Sequence, residues 1–353
     1  MRRPAKFLLA VGAVLCIGGI IVFSSSKMDQ KELPEAEDES QEVSMSIDCV
    51  ANVLNYNYTS MDYRDQTIRP LKDCEFSFLD ELNIPGMPET KEEDLANNYI
   101  YSEAQCPQGL CFTDEYMLIT SYSEEDDCLG ELMVFDRESG RYLVTLGMDP
   151  ESHLGGIAFD GKNVWVCNSS QKTLERLSYD FIQLMATENE GDVVDASEVV
   201  DTYDIGNRPS CVTYYRGRIW IATFHAYQNG EAVAYHYDSN KDTLIQLSEY
   251  EIPPKVQGIT FAEDGTVYLS CSYGRKQSSY IKRYDSVASM AAKTKRPSAQ
   301  VEMPPGSEEI VLSDGALYVV FESAGEKYLE GTDGKGTSLS PINKILKIEV
   351  DSF

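Results

Sequence analysis

From residue 99 onward the chain alternates short apolar runs with polar turns, and one unit recurs five times. The unit is an apolar strand, a tight turn and a second apolar strand. Its copies begin at Gln108, Gly155, Ser210, Gln257 and Glu308. The fifth position of each copy is Phe112, Phe159, Tyr214, Phe261 or Leu312, at separations of 47, 55, 47 and 51 residues. The turns carry Asp160-Gly161, Arg216-Gly217, Asp264-Gly265 and Asp314-Gly315. Glycine there supplies the positive φ of a tight hairpin. A third strand follows each pair, as in 132–136 and 280–285, and a fourth leads into the next copy at 142–146, 199–205, 244–252 and 299–303. Four strands in about 50 residues, repeated, predict the blades of an all-β propeller.

The fifth copy has its third strand at 345–350, and the sequence then stops before a fourth. The segment 98–102 (Asn-Tyr-Ile-Tyr-Ser) precedes the first copy where a fourth strand precedes the others. It is expected to complete the last blade and close a five-bladed ring. The alternative is a sixth blade hidden in residues 48–98.

One long apolar run, residues 7–23, follows Arg2, Arg3 and Lys6. Basic residues before such a run mark a signal peptide or an uncleaved signal anchor. No A-x-A cleavage site follows, which favours the anchor. The positive-inside rule then places the rest of the chain outside the cytoplasm, on the membrane or secreted if the segment is cleaved. Residues 24–46 are polar and acidic and read as a flexible stalk. Residues 47–98 read as an extension packing on the propeller, which spans 99–353.

Charge narrows the partners. Asp and Glu number 58 against 30 Lys and Arg, a net charge of −28. Such a polyanion repels phosphate backbones, which argues against nucleic acid. A small molecule, a glycan or an envelope protein suits it better. The 22 Tyr and 12 Phe exclude a chain disordered throughout.

In a propeller, loops just before the first strands and just after the second ones converge on the channel mouth, the default ligand site. Here they carry Gln108, His153, Arg208, Gln257, Glu308 and Glu309 on one side, and Tyr122, Asn168, His225, Tyr273, Arg275 and Glu322 on the other. Gln108, Arg208, Gln257, Tyr273 and Arg275 are the candidate ligand-binding residues, against the alternative of a merely solvated loop face. His153 and His225 are candidate bases, because imidazole titrates near neutrality; His236 lies within a third strand and reads as structural. No G-x-S-x-G, H-E-x-x-H or Walker loop occurs, and no C-x-x-C. Among the nine cysteines, Cys106–Cys128 and Cys49–Cys74 are the candidate disulfides of an oxidising compartment. Cys111, Cys167, Cys211 and Cys271 read as buried small hydrophobes.

The blade pattern, as in Gly156-Ile157-Ala158-Phe159-Asp160-Gly161 with Val164-Trp165-Val166, resembles the broad superfamily of NHL, YVTN and gluconolactonase-like β-propellers. The resemblance covers about residues 99–350 and rests on hairpin chemistry. Gluconolactonase-like members hold a divalent ion at the channel mouth with Glu, Asn and Asp. That resemblance implies Glu308 and Asn168 as ligands, with Glu309 and Glu322 as further oxygens for calcium or another divalent cation; no matching Asp is present. Streptogramin lyases are similar in using a His at this mouth. The leading expectation is a membrane-anchored propeller that binds a ligand without turnover. The rivals are a metal-assisted hydrolase, lactonase or lyase, and a structural envelope scaffold.

Overall fold

The computed structural model describes residues 47–59, 65–79, 105–123, 129–148 and 153–353. The expected anchor and stalk, residues 1–46, lie outside them. Among the described residues no helix is long and apolar enough to cross a membrane.

Five sheets form five blades. Blade one runs Gln105–Phe112, Tyr116–Ser123, Glu131–Asp136 and Tyr142–Gly147 from the axis outward, each strand antiparallel to the last. Blade two uses Ile157–Phe159, Asn163–Asn168, Thr173–Ser178 and Asp201–Asp204. A helix, Tyr179–Glu188, is inserted before its outer strand, which accounts for the one long repeat spacing. Blade three is Pro209–Tyr215, Arg218–Thr223, Gly230–Asp238 and Thr243–Ile252. His236 sits exposed on its third strand. Blade four is Val256–Phe261, Val267–Cys271, Ser279–Tyr284 and Ala299–Met303. Blade five is Ser307–Ser313, Ala316–Phe321 and Leu346–Glu349, completed by a strand from the N-terminal segment.

That closing strand is a correction. Residues 98–102 lie outside the described residues, and the outer position of blade five is filled by Phe76–Phe78. Phe76 pairs with Ile348 and Phe78 with Leu346, antiparallel. The Phe-Ser-Phe alternation turns Phe78 into the core and leaves Ser77 exposed. A second short strand from the same segment, Ile68–Pro70, adds in parallel to the outer strand of blade four.

Each blade is apolar on both faces because each face meets a neighbour. Five hydrophobic clusters result, one in each gap between blades. Leu118 and Val134 of blade one pack against Val164 and Val166 of blade two. Trp165 and Leu174 meet Ile219 and Val233, and Trp220 meets Ile259 and Leu269. The gap between blades four and five also takes Cys49, Val53, Leu71 and Phe78. Ile119 and Met133 meet Val320 and Ile345 where the ring closes.

The expected Cys49–Cys74 disulfide is not formed. The Cys49 Sγ donates to Asn343 Oδ1 at 3.2 Å, and Cys74 Sγ lies 3.7 Å from the Pro70 carbonyl. Both thiols pack around the same apolar cluster without meeting, and burial pushes Cys74 up to about 11. Cys128 of the other expected pair, Cys106–Cys128, lies outside the described residues. Cys111, Cys167, Cys211 and Cys271 are all buried in strands.

Candidate functional site

A bulge recurs at one place in four blades. Pairing of the first and second strands slips between Pro107 and Gly109, Pro209 and Cys211, Val256 and Gly258, and Ser307 and Ile310. The residues skipped are Gln108, Ser210, Gln257 and the pair Glu308-Glu309. A bulge frees a residue from the ladder and re-aims its side chain. Gln108, Ser210 and Gln257, with Gly155 of blade two, consequently line one cavity of about 1020 Å³ at the channel mouth.

The ends of the second strands supply the walls. Tyr122, Tyr273, Arg275 and Glu322 line the cavity, as do His153 and Arg208 from the loops before the first strands. His225 and Asn168 do not. The wall carries Phe224 and Ser169 in their places. His225 is exposed, while Asn168 is buried and donates to Glu175 Oε1 at 2.6 Å. Four further side chains come from the long insertion of blade five, residues 322–345. Lys327 and Tyr328 lie on its short helix, Glu326–Leu329, and Asp333 and Lys335 on the loop beyond.

A pair of carboxyl groups adjoins the cavity: Glu322 lines it, and Glu308, in contact with Glu322, does not. Glu308 is 1% exposed and accepts from Gln257 Nε2 at 3.1 Å. It is in hydrogen-bond contact with Glu322, which takes Gln108 Nε2 at 3.1 Å and the Tyr328 hydroxyl. Burial, then the neighbouring Glu322 carboxyl, pushes Glu308 well above the usual carboxylate range. Burial raises Glu322 too, while the Tyr328 hydroxyl and the Lys327 ammonium pull it back down. Two carboxyls in contact cannot both ionise cheaply, so the pair keeps a proton where a solvated glutamate would have lost it.

Two of the cavity's cations, Lys327 and Arg275, are held by aromatic faces. Lys327 Nζ lies 4.5 Å from the ring centre of Tyr122 and 4.9 Å from that of Tyr328, and it contacts the Tyr122 hydroxyl. His153 stacks on Tyr122 at 4.2 Å. The Arg275 guanidinium lies 4.6 Å from the Tyr328 ring centre and pairs with Asp333 at 2.5 Å. That pairing holds the Asp333 carboxyl at about 2. Stacking of this kind fixes a cation without neutralising it.

Glu309 plays a different part. The second position of each repeat reads Gly109, Gly156, Cys211, Gly258 and Glu309. Four small residues leave room at the axis, and the Glu309 side chain fills it. A Cβ on Gly156 would stand 2.5 Å from Glu309 Oε2. Ile259 N donates to Glu309 Oε1 at 3.4 Å, and the amides of Val212, Ile310 and Ile157 also face the carboxyl. Oε2 itself makes no hydrogen bond of good geometry. Burial pushes this group well above its ordinary value, against the pull of those amides. The next residues of the same strands line a smaller cavity of about 150 Å³, so Glu309 plugs the channel under the mouth.

This donor set does not fit a divalent ion. Calcium takes six to eight oxygens. Glu308 is engaged by Gln257 and Glu322, Glu309 faces backbone N–H groups, and Asn168 is turned to Glu175. Among the described residues no group of three or more His, Cys, Asp and Glu side chains could hold a metal.

No family model matches the chain, and no curated protein matches it. Solved structures give loose likenesses. Glutaminyl cyclase of Myxococcus xanthus is 10% identical with a TM-score of 0.41, covering 72% of this chain and 94% of its own. Hydrazine synthase of Kuenenia stuttgartiensis is 9% identical at 0.39, over 64% of this chain; the alignment spans 58% of the hydrazine synthase chain. A nidogen/laminin complex is 15% identical at 0.37, over 63% and 74%. The superfamily resemblance of the blade motif therefore gains no family assignment.

Proposed function

We propose that the protein binds a small organic anion at the channel mouth. One observation carries this reading. The chain has a net charge of −28, yet Arg208, Arg275, Lys276, Lys327 and Lys335 line the cavity against only Glu322 and Asp333. A cavity of reversed sign inside an acidic field attracts small anions and rejects extended polyanions of nucleic-acid charge density. Arg208 is the exposed guanidinium of the set and is suited to bidentate contact with a carboxylate.

The Glu308–Glu322 pair, reached through Glu322, supports a second reading, acid–base turnover of the bound anion. A protonated carboxyl beside a ligand is the general acid such chemistry needs. We propose also that residues 7–23 anchor the protein and set the mouth outside the cytoplasm.

The test is titration calorimetry with citrate, phosphate and galacturonate, and with uncharged galactose as control. Saturable binding of citrate or galacturonate, and none of galactose, is expected. A charge-assisted hydrogen bond is worth about 1.5–3 kcal/mol, so Arg208→Glu is expected to weaken binding roughly tenfold or more. Equal binding by wild type and variant would remove the reading.

A further inference from the structure

A second cavity, of about 830 Å³, adjoins the mouth. Lys276 and Gln277 line both cavities, so the two lie side by side at the end of the 272–277 loop of blade four. We propose that the two cavities form one extended site, and that its ligand is a short acidic oligosaccharide bearing a carboxylate on each ring. This rests on the reading of the mouth as an anion site.

Charge is the first argument. Lys255, Lys276 and Lys282 line the second cavity, and no acidic residue does. The side chains of Lys276 and Lys282 make no ion pair or hydrogen bond among the described residues. The carboxylate buried beneath this wall, Glu302, is fully enclosed. Its Oε1 takes Thr59 N at 2.8 Å, Thr59 Oγ1 at 2.7 Å and Ser278 Oγ at 2.5 Å. Cations are thus spread along both cavities, as repeated anionic groups on one ligand require.

Size is the second. Pockets of about 300–1000 Å³ each enclose one drug-sized molecule. The two cavities together, about 1020 and 830 Å³, exceed the needs of one small anion and suit a chain of several units.

The lining is the third. Tyr273 is 37% exposed at the mouth and meets Tyr227, which is 81% exposed, edge to face at 5.7 Å. Phe224 adjoins Tyr273 at 6.0 Å. Lys255 Nζ lies 5.6 Å from the Tyr273 ring centre, and exposed aromatic rings of this kind pack against the apolar faces of sugar rings while polar edges stay wet. Asn55, Asn57, Gln277, Ser278 and Ser340 give the second cavity donors and acceptors for hydroxyl groups. An oligonucleotide would bring a denser charge against the −28 of the chain.

The test is calorimetric titration of the whole protein with galacturonate and with its oligomers of two to six rings. Affinity is expected to rise at least tenfold from one ring to four. Lys282 lines only the second cavity, so Lys282→Glu is expected to abolish that gain and leave the monomer's affinity within about twofold. Lys282→Gln, with the melting temperature checked, is expected to act in the same direction. Monomer binding with no gain in length, or a gain that both variants keep, overturns the extended site while leaving the mouth reading intact. Tighter binding of an oligoglutamate or oligonucleotide of equal charge overturns the sugar assignment. Absence of monomer binding together with absence of oligomer binding overturns the proposal as well.

Discussion

Gly156→Ala is expected to lose about 3 kcal/mol of stability in urea denaturation, among the larger effects of overpacking. The added Cβ would lie 2.5 Å from Glu309 Oε2, 2.6 Å from Cys211 Cα and 2.7 Å from Val212 N. Two of these are backbone atoms of the neighbouring blade, which cannot step aside without opening the ring. Gly161→Ala is the control. Gly161 has φ +97 and nothing within 4 Å of a built Cβ, so only local strain of about 1–2 kcal/mol is at stake. Equal losses in the two variants would contradict close packing of the inner strands around Glu309.

Glu131→Gln is expected to stabilise the protein, increasingly so as pH rises. Glu131 is 4% exposed at the start of the third strand of blade one, and its Oε2 finds no hydrogen-bond partner among the described residues. Burial pushes its carboxyl up to about 8 from an ordinary 4.5. Between those values the folded state holds a proton that the unfolded state has released. Stability therefore falls as pH rises through that window. At 1.36 kcal/mol per pH unit, the penalty reaches about 3 kcal/mol at pH 7. Glutamine keeps the shape and removes the titration. The difference between wild type and variant is expected to grow from near nothing at pH 4.5 to that size at pH 7 in paired urea melts. A difference constant with pH would contradict the assignment. Glu308, Glu309 and Glu322 are raised in the same direction, so a residual decline is expected in the variant.

The blades were legible because their signals are local. Arg216-Gly217 and Asp314-Gly315 both have two successive positive φ values, at +49 and +74 and at +51 and +80. That is the chemistry a two-residue hairpin turn demands. Closure was not legible. Phe76–Phe78 is three residues long, too short to show a period, and its partner Leu346–Glu349 lies at the far end of the chain. The cysteines misled for a related reason, since sharing an apolar cluster does not bring two sulfurs into bonding geometry.

In the site, the polar first positions Gln108, Ser210 and Gln257 line the mouth, and the bulges explain why. Errors at the second-strand ends were slips of one residue. Phe224 stands where His225 was expected, and Ser169 where Asn168 was. One residue reverses the face in an extended chain. Lys327, Tyr328, Asp333 and Lys335 were missed because they lie in an insertion that no other blade repeats. Its unusual length between the second and third strands was the available signal. The plug was visible as Gly, Gly, Cys, Gly, Glu at one repeat position, but four small residues beside one Glu gain meaning only once the five strands are known to face one axis.

The most direct measurement is a crystal structure of the protein with galacturonate bound. The expected result is the carboxylate in the mouth cavity, hydrogen-bonded to Arg208 or to another of its cations, with the sugar ring beside Glu322. A mouth left empty under saturating ligand, with the sugar bound only on the outer edges of the blades, would contradict it.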